Sequence, residues 1–248
     1  RTGSASFGAI AGRVSYRVGW SQLSMDGHTH QLVPNEGGNQ LHGCPSGLSN
    51  VFWVLETDGP SALRFLYTSP DGENGFPGVA KFIVDVRLEG ARVTYDMRAE
   101  VDRVTPISLA QHNYYNLVGD GSIWDHRMLC QADRVLEMDN QGIMTGLISS
   151  VDGTRFDFRK MRSFSEADST RLGIDHNLVF KASRDIEQPV CEVVAPNGMR
   201  MKLWSDQPGG QVYTALAMPS HDGGLGGRSY GSASGFCFEP QGFPNAVN

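Results

Sequence analysis

The sequence has no Asn-x-Ser/Thr sequon, no Cys-x-x-Cys pair, no GxxxxGK[ST] signature and no apolar run of the roughly 20 residues a membrane-spanning helix needs. Positive charge is in short supply. Lys plus Arg number 21 against 27 Asp plus Glu, a net charge of −6, which argues against nucleic acid or an anionic membrane as a main partner. The four cysteines, Cys44, Cys130, Cys191 and Cys237, lie far apart with no histidine at ligand spacing. Neither a metal site nor a redox motif is therefore expected, and scattered reduced thiols are. The missing sequon and the lack of a signal peptide after Arg1 give a cytoplasmic expectation, any targeting segment lying upstream of the sequence.

Helical periodicity is nearly absent too. Instead, 30 glycines and 12 prolines punctuate short β-type runs. Phe82 to Leu88 alternates, Glu89-Gly90 turns the chain, and Val93, Tyr95, Met97, Ala99 and Val101 then share one face. Period-2 patterning of this kind predicts a half-buried antiparallel pair. Asp26-Gly27 and Pro196-Asn197-Gly198 read as further hairpin turns. No composition break marks a linker across the 248 residues. The expectation is one all-β domain of large antiparallel sheets, spanning 1–248.

Several stretches carry chemistry. Thr105 to Leu117 sets His112 between Gln111 and Asn113 and beside Tyr114 and Tyr115. Histidine titrates near neutrality, and aromatic faces pack on the apolar side of a sugar ring, although most single histidines are structural. In Arg13 to Arg17, positions 13, 15 and 17 would share a face of an extended strand, with arginine forks offered to hydroxyls or merely to solvent. The loop from Asn35 to Gly43 flanks His42 with glycines that permit close approach to a ligand. Asp175 precedes a histidine in Leu172 to Asn177, where a turn or cap role is the commoner one. Gln211 follows a Pro/Gly turn. Glu239 stands among apolar residues near the end, where desolvation would lift its pKa toward a general-base range.

Taken in series, these stretches resemble the aldose 1-epimerase, or galactose mutarotase, family. Counterparts of its arginine segment, N-x-L-H-G loop, T-P-x-x-x-x-x-H stretch, D-H-N motif, Q-x-Y-T strand and E-P-Q-x-x-P ending occur here in the family's order. Each is weak alone, whereas six in order are specific. The resemblance implies a galactose mutarotase-like β-supersandwich, lacking N-terminal and C-terminal strands of the family, and a cofactor-independent isomerase. By motif position it implies His112 as general acid and Glu239 as general base. Arg17, His42, Asp175 and Gln211 are implied as the sugar-binding shell. Departures fall on the rim. Tyr16, Cys44, Ala215-Leu216 and Asn245 stand where the family has other residues, which leaves the preferred sugar open.

The implied reaction interconverts α and β anomers of a free hexose. Glu239 would remove the anomeric hydroxyl proton while His112, on the opposite side of the anomeric centre, protonates the ring oxygen. The ring opens, C1–C2 rotates and the ring recloses. That requires imidazolium and carboxylate, with Asp175 helping to hold the charge on His112, and a bell-shaped pH profile. Competing readings are a degenerate sugar-binding module, a sugar-phosphate mutarotase using Arg13 and Arg64, and a glycoside hydrolase with Asp175 and Glu239 as its carboxylate pair. The expected partner is a monosaccharide, and the expected state a monomer or homodimer, with no metal or cofactor.

Overall fold

The computed structural model describes residues 6–25, 27–43 and 46–248. Asp26 of the first expected turn and Cys44 of the histidine loop lie outside them. The chain divides into two compact units, Arg1–Ala9 with Ala110–Ala246 and Ile10–Leu109 with Val247–Asn248. Both are built of antiparallel sheets, and the α-helix Phe164–Ala167 is the one α-helix among the described residues. No described helix is long and apolar enough to cross a membrane.

The larger unit holds a six-stranded sheet in the order Tyr114–Tyr115, Phe236–Gln241, Gly209–Tyr213, Asp175–Val179, Arg134–Met138, Met144–Ser150. Every neighbouring pair in it is antiparallel. A four-stranded sheet of Arg162–Ser163, Arg127–Cys130, Cys191–Val194 and Arg200–Leu203 supplies the other side of a shared apolar core. Phe236, Phe238, Val212 and Leu178 from the first sheet join Met128, Cys130, Cys191, Val193, Phe158 and Phe164 in that core. Side chains of a strand alternate between faces, so residues 236 and 238 can be core while 237, 239 and 241 project the other way. Two glycines let the strands close up. A Cβ at Gly209 would sit 2.5 Å from Asn177 Oδ1, and one at Gly210 would sit 2.9 Å from Phe180 Cζ.

Two of the sequence expectations about turns and strands hold. Ala80–Glu89 pairs antiparallel with Arg92–Val101, Glu89 opposite Arg92 across the turn. Met97 and Ala99 pack on Phe82 and Leu48, whereas Val93 and Val101 at the strand ends are exposed. The Pro196-Asn197-Gly198 turn joins two paired strands, with Val194 opposite Arg200 and Gly198 at a φ of +85° that favours glycine. Gln22–Met25 and His28–Gln31 also pair, on either side of the undescribed Asp26.

Others need correction. Residues 13–17 are not one strand: Tyr16 has a φ of +62°, and only Arg17–Val18 is extended in a ladder. Positions 13 and 17 consequently share no regular face. Arg13 is buried, with Nη2 2.7 Å from Ser69 Oγ and 3.0 Å from the Pro70 carbonyl, and Nη1 3.1 Å from the Pro77 carbonyl. Arg64 is held by Asp85, with Nε 2.7 Å from Oδ1. Both arginines offered for a phosphate are thus engaged within their own unit. Nor are the thiols all scattered, since Cys130 stands directly opposite Cys191 in the four-stranded sheet.

Phe236 is the hub of the larger unit's core. Its ring centroid lies 5.4 Å from that of Phe164 and 5.7 Å from that of Tyr115, and it has no exposed surface. Truncating a buried phenylalanine costs about 3–5 kcal/mol through lost burial and the cavity left behind. Phe236→Ala is expected to lower stability by that amount in urea unfolding, and a change under about 1 kcal/mol would show that the two sheets do not depend on this ring.

Candidate functional site

The polar face of the six-stranded sheet gathers chemistry that the sequence spreads over more than a hundred positions. In register, Tyr114 lies opposite Cys237, Cys237 opposite Tyr213 and Tyr213 opposite Asp175. One step along, Glu239 lies opposite Gln211, and Gln211 opposite Asn177. His112 approaches from the short strand Ala110–His112, held by Gln111, whose amide Nε2 donates to the Phe238 carbonyl at 2.9 Å. Gln111 and His112 point to opposite sides of their strand, so a clasp on Gln111 fixes the imidazole beside Glu239.

His112 Nε2 is 3.6 Å from Glu239 Oε1, longer than a hydrogen bond, and its Nδ1 is 3.5 Å from Cys237 Sγ. The Tyr114 ring packs at a tilt beside the imidazole, ring centroids 5.1 Å apart and planes 30° off parallel. The expected acid and base are therefore side by side, not on opposite sides of a gap. Asp175 accepts from Gln211 Nε2 at 2.7 Å. Its position is set from behind: the buried carboxylate of Asp168 accepts from the amides of Leu172 and Gly173, and Thr214 Oγ1 accepts from the Ile174 amide at 2.9 Å.

Burial dominates the electrostatics. His112 is pushed down to about 4, because its imidazolium would be taken out of water. Glu239 is 2% exposed, and burial, then the negative charge of Asp175, raises its carboxyl well above the ordinary range. Burial followed by Glu239 raises Cys237 as well. Burial thus works against both charges of the expected imidazolium–carboxylate pair, because desolvation penalises each of them. Asp175 acts on both Glu239 and Cys237, whose acid groups its negative charge helps to raise.

Four of the six expected site residues, His112, Glu239, Asp175 and Gln211, share this face. Arg17 and His42 belong to the other unit. There Arg17 forms a two-point ion pair with Glu36 and lies over the Tyr16 ring, 4.8 Å from its centroid. His42 Nδ1 accepts from the Tyr16 amide at 3.2 Å. Among the described residues, Glu239 Oε2, Gln211 Oε1 and both polar atoms of Asn177 are buried without hydrogen-bond partners. A buried polar group left unpaired costs about 1–3 kcal/mol, so these atoms set the face apart from the apolar core on the strands' other side.

Cys237, Tyr213 and Asn177 were not expected here. Each is two residues from one that was, and strand parity alone would have found it. By the same rule His176 of the D-H-N motif faces away, packed 4.2 Å from the Phe156 ring. His126 is likewise structural, its Nε2 accepting from the Leu117 amide at 3.0 Å.

The family model described as aldose 1-epimerase matches residues 1–248. The galactose mutarotase of Bos taurus is 38% identical over 98% of this chain and 72% of its own length. The aldose 1-epimerase of Escherichia coli (strain K12) is 32% identical over 98% of this chain and 73% of its own. Among solved structures, the GalM/aldose epimerase homologue from C. elegans superposes with a TM-score of 0.92 at 27% identity, over 99% of this chain and 76% of that one. The galactose 1-epimerase from Lactobacillus acidophilus NCFM gives 0.84 at 26% identity, over 97% and 74%. With matching motifs, fold and whole-chain coverage, the chain belongs to the aldose 1-epimerase family, isomerases that interconvert the anomers of sugars.

Proposed function

We propose that the protein is a mutarotase of free hexoses, galactose among them, in which Glu239 and His112 exchange protons with the two oxygens on the anomeric carbon. The 3.6 Å spacing of Glu239 Oε1 and His112 Nε2 carries this reading. The hydroxyl and ring oxygens to be served are bonded to the same carbon, so two adjacent groups reach both. The neutral pair and the imidazolium–carboxylate pair contain the same single proton. A sugar whose hydroxyls bond the Glu239 carboxylate favours the charged form, in which Glu239 removes the hydroxyl proton and His112 protonates the ring oxygen. Ring closure on the other face returns both protons. Asp175 and Gln211, already bonded to each other, are assigned to sugar hydroxyls, with the flat Tyr114 ring as an apolar wall. Arg17 and His42 are assigned to the sugar on motif position alone. The galactose preference rests on the names of the relatives.

A degenerate binding module is the second reading, supported by the altered residues Tyr16 and Ala215-Leu216. Turnover separates the two. Glu239→Gln keeps the shape and removes the base, so polarimetry on freshly dissolved α-D-galactose is expected to show a loss of roughly 10²–10⁴-fold or more in kcat. The melting temperature should hold or rise, because a desolvated carboxyl is gone. Near-wild-type turnover in that variant would overturn the base assignment, and wild-type sugar binding without turnover would favour the module.

The pH dependence has a definite sign. Below the acid limb, near the His112 value of about 4, a second proton occupies the pair and the base is lost. Above the alkaline limb, set by the raised Glu239 carboxyl, the only proton leaves and the acid is lost. The kcat/KM profile is therefore expected to be a bell with its acid limb near 4 and its alkaline limb well above the ordinary carboxylate range. An acid limb at the ordinary histidine value of 6.5 would contradict it.

A further inference from the structure

The reaction proposed above gives no task to Cys237. Yet its Sγ, a nitrogen of His112 and a carboxylate oxygen of Glu239 all lie within 4.8 Å of one another, and all three residues are buried. These are three of the donor types that bind zinc, with three protein ligands and an open fourth position being its catalytic-site pattern. Bonds of about 2.0–2.3 Å in a tetrahedron put neighbouring donor atoms about 3.3–3.8 Å apart. The Sγ to Nδ1 distance is 3.5 Å, already at such an edge. A second observation points the same way: Glu239 Oε2 is buried with no hydrogen-bond partner among the described residues. Asp175 adds a further carboxylate that acts on both Cys237 and Glu239.

We propose that His112, Cys237 and Glu239 form a binding site for a thiophilic divalent cation, zinc(II) in the first instance, and that its occupation switches the enzyme off. The Cys237 thiol and the Glu239 carboxyl each give up their proton to solvent as the metal–sulfur and metal–oxygen bonds form, and a ring nitrogen of His112 becomes the third ligand. Both groups that would move protons on the sugar are then tied up. Thiolate selects zinc over magnesium or calcium, which prefer oxygen, so the block is specific to thiophilic ions. The inhibitory half rests on the acid/base roles proposed above, whereas the binding half does not.

Cobalt(II) titration of the metal-free, reduced wild-type protein tests the binding half, since cobalt bound by thiolate gives a charge-transfer absorption that oxygen and nitrogen ligands do not. One equivalent of cobalt is expected to produce that band, and zinc to abolish it. Cys237→Ser should lose the band and bind zinc more than about 100-fold more weakly, as loss of a direct ligand exceeds the 10–100-fold effect of an outer-shell partner. No band in the wild type, or an undiminished band in Cys237→Ser, would overturn the site, the latter shifting the ion to another thiol such as the Cys130–Cys191 pair. Should the serine variant fail to fold, Glu239→Gln replaces it: that variant must bind zinc more weakly than the wild type, and unchanged affinity overturns the site. Zinc must also stop mutarotation at one equivalent and magnesium leave it unchanged. Mutarotation persisting with the site filled would overturn the switch, whereas no mutarotation even without metal would sink the proposed function and leave the site standing.

Discussion

Alternate residues of an extended strand face opposite ways, and in Phe236–Gln241 that rule joins the core to the chemistry. Phe236 and Phe238 go into the apolar core, and each buried ring favours the strand staying where it is. The same geometry drives Cys237, Glu239 and Gln241 onto the other face, where they too are buried. A carboxyl group does not choose such a place. It is carried there by its neighbours, and the cost of desolvating it is offset by the aromatic packing two atoms of backbone away.

That constraint sets the electrostatics of the whole face. Burial works against the charge on His112 and on Glu239 alike. Folding leaves polar atoms of Asn177, Gln211 and Glu239 on this face without partners among the described residues.

Rigidity comes from residues that touch no guest. Gln111 clasps the Phe238 carbonyl, Asp168 gathers the Leu172–Gly173 amides, and Thr214 ties itself to Ile174. Gly209 and Gly210 let neighbouring strands and rings approach to distances that any side chain would prevent. Each of these acts on the strand ends from which His112, Asp175 and Gln211 project, which is where small errors in position cost most.

Much of this could be read along the chain. Period-2 runs such as Phe82 to Leu88 and Val93 to Val101 determined antiparallel pairing by themselves, because burial of alternate residues is a local pattern. Motif order nominated His112, Asp175, Gln211 and Glu239, and the folded strands bring them to one face. The Arg13–Arg17 stretch misled, because a positive φ at Tyr16 breaks the alternation and nothing in a tyrosine announces it. Which residues are opposite one another was beyond the sequence's reach: Cys130 with Cys191, and Cys237 with both Tyr114 and Tyr213, are pairings between distant strands. Register is decided by how whole sheets bury their faces, so it belongs to the packed chain. The protonation of His112 and Glu239 belongs there as well, since desolvation is a property of everything that surrounds a group and of nothing in its neighbours along the chain.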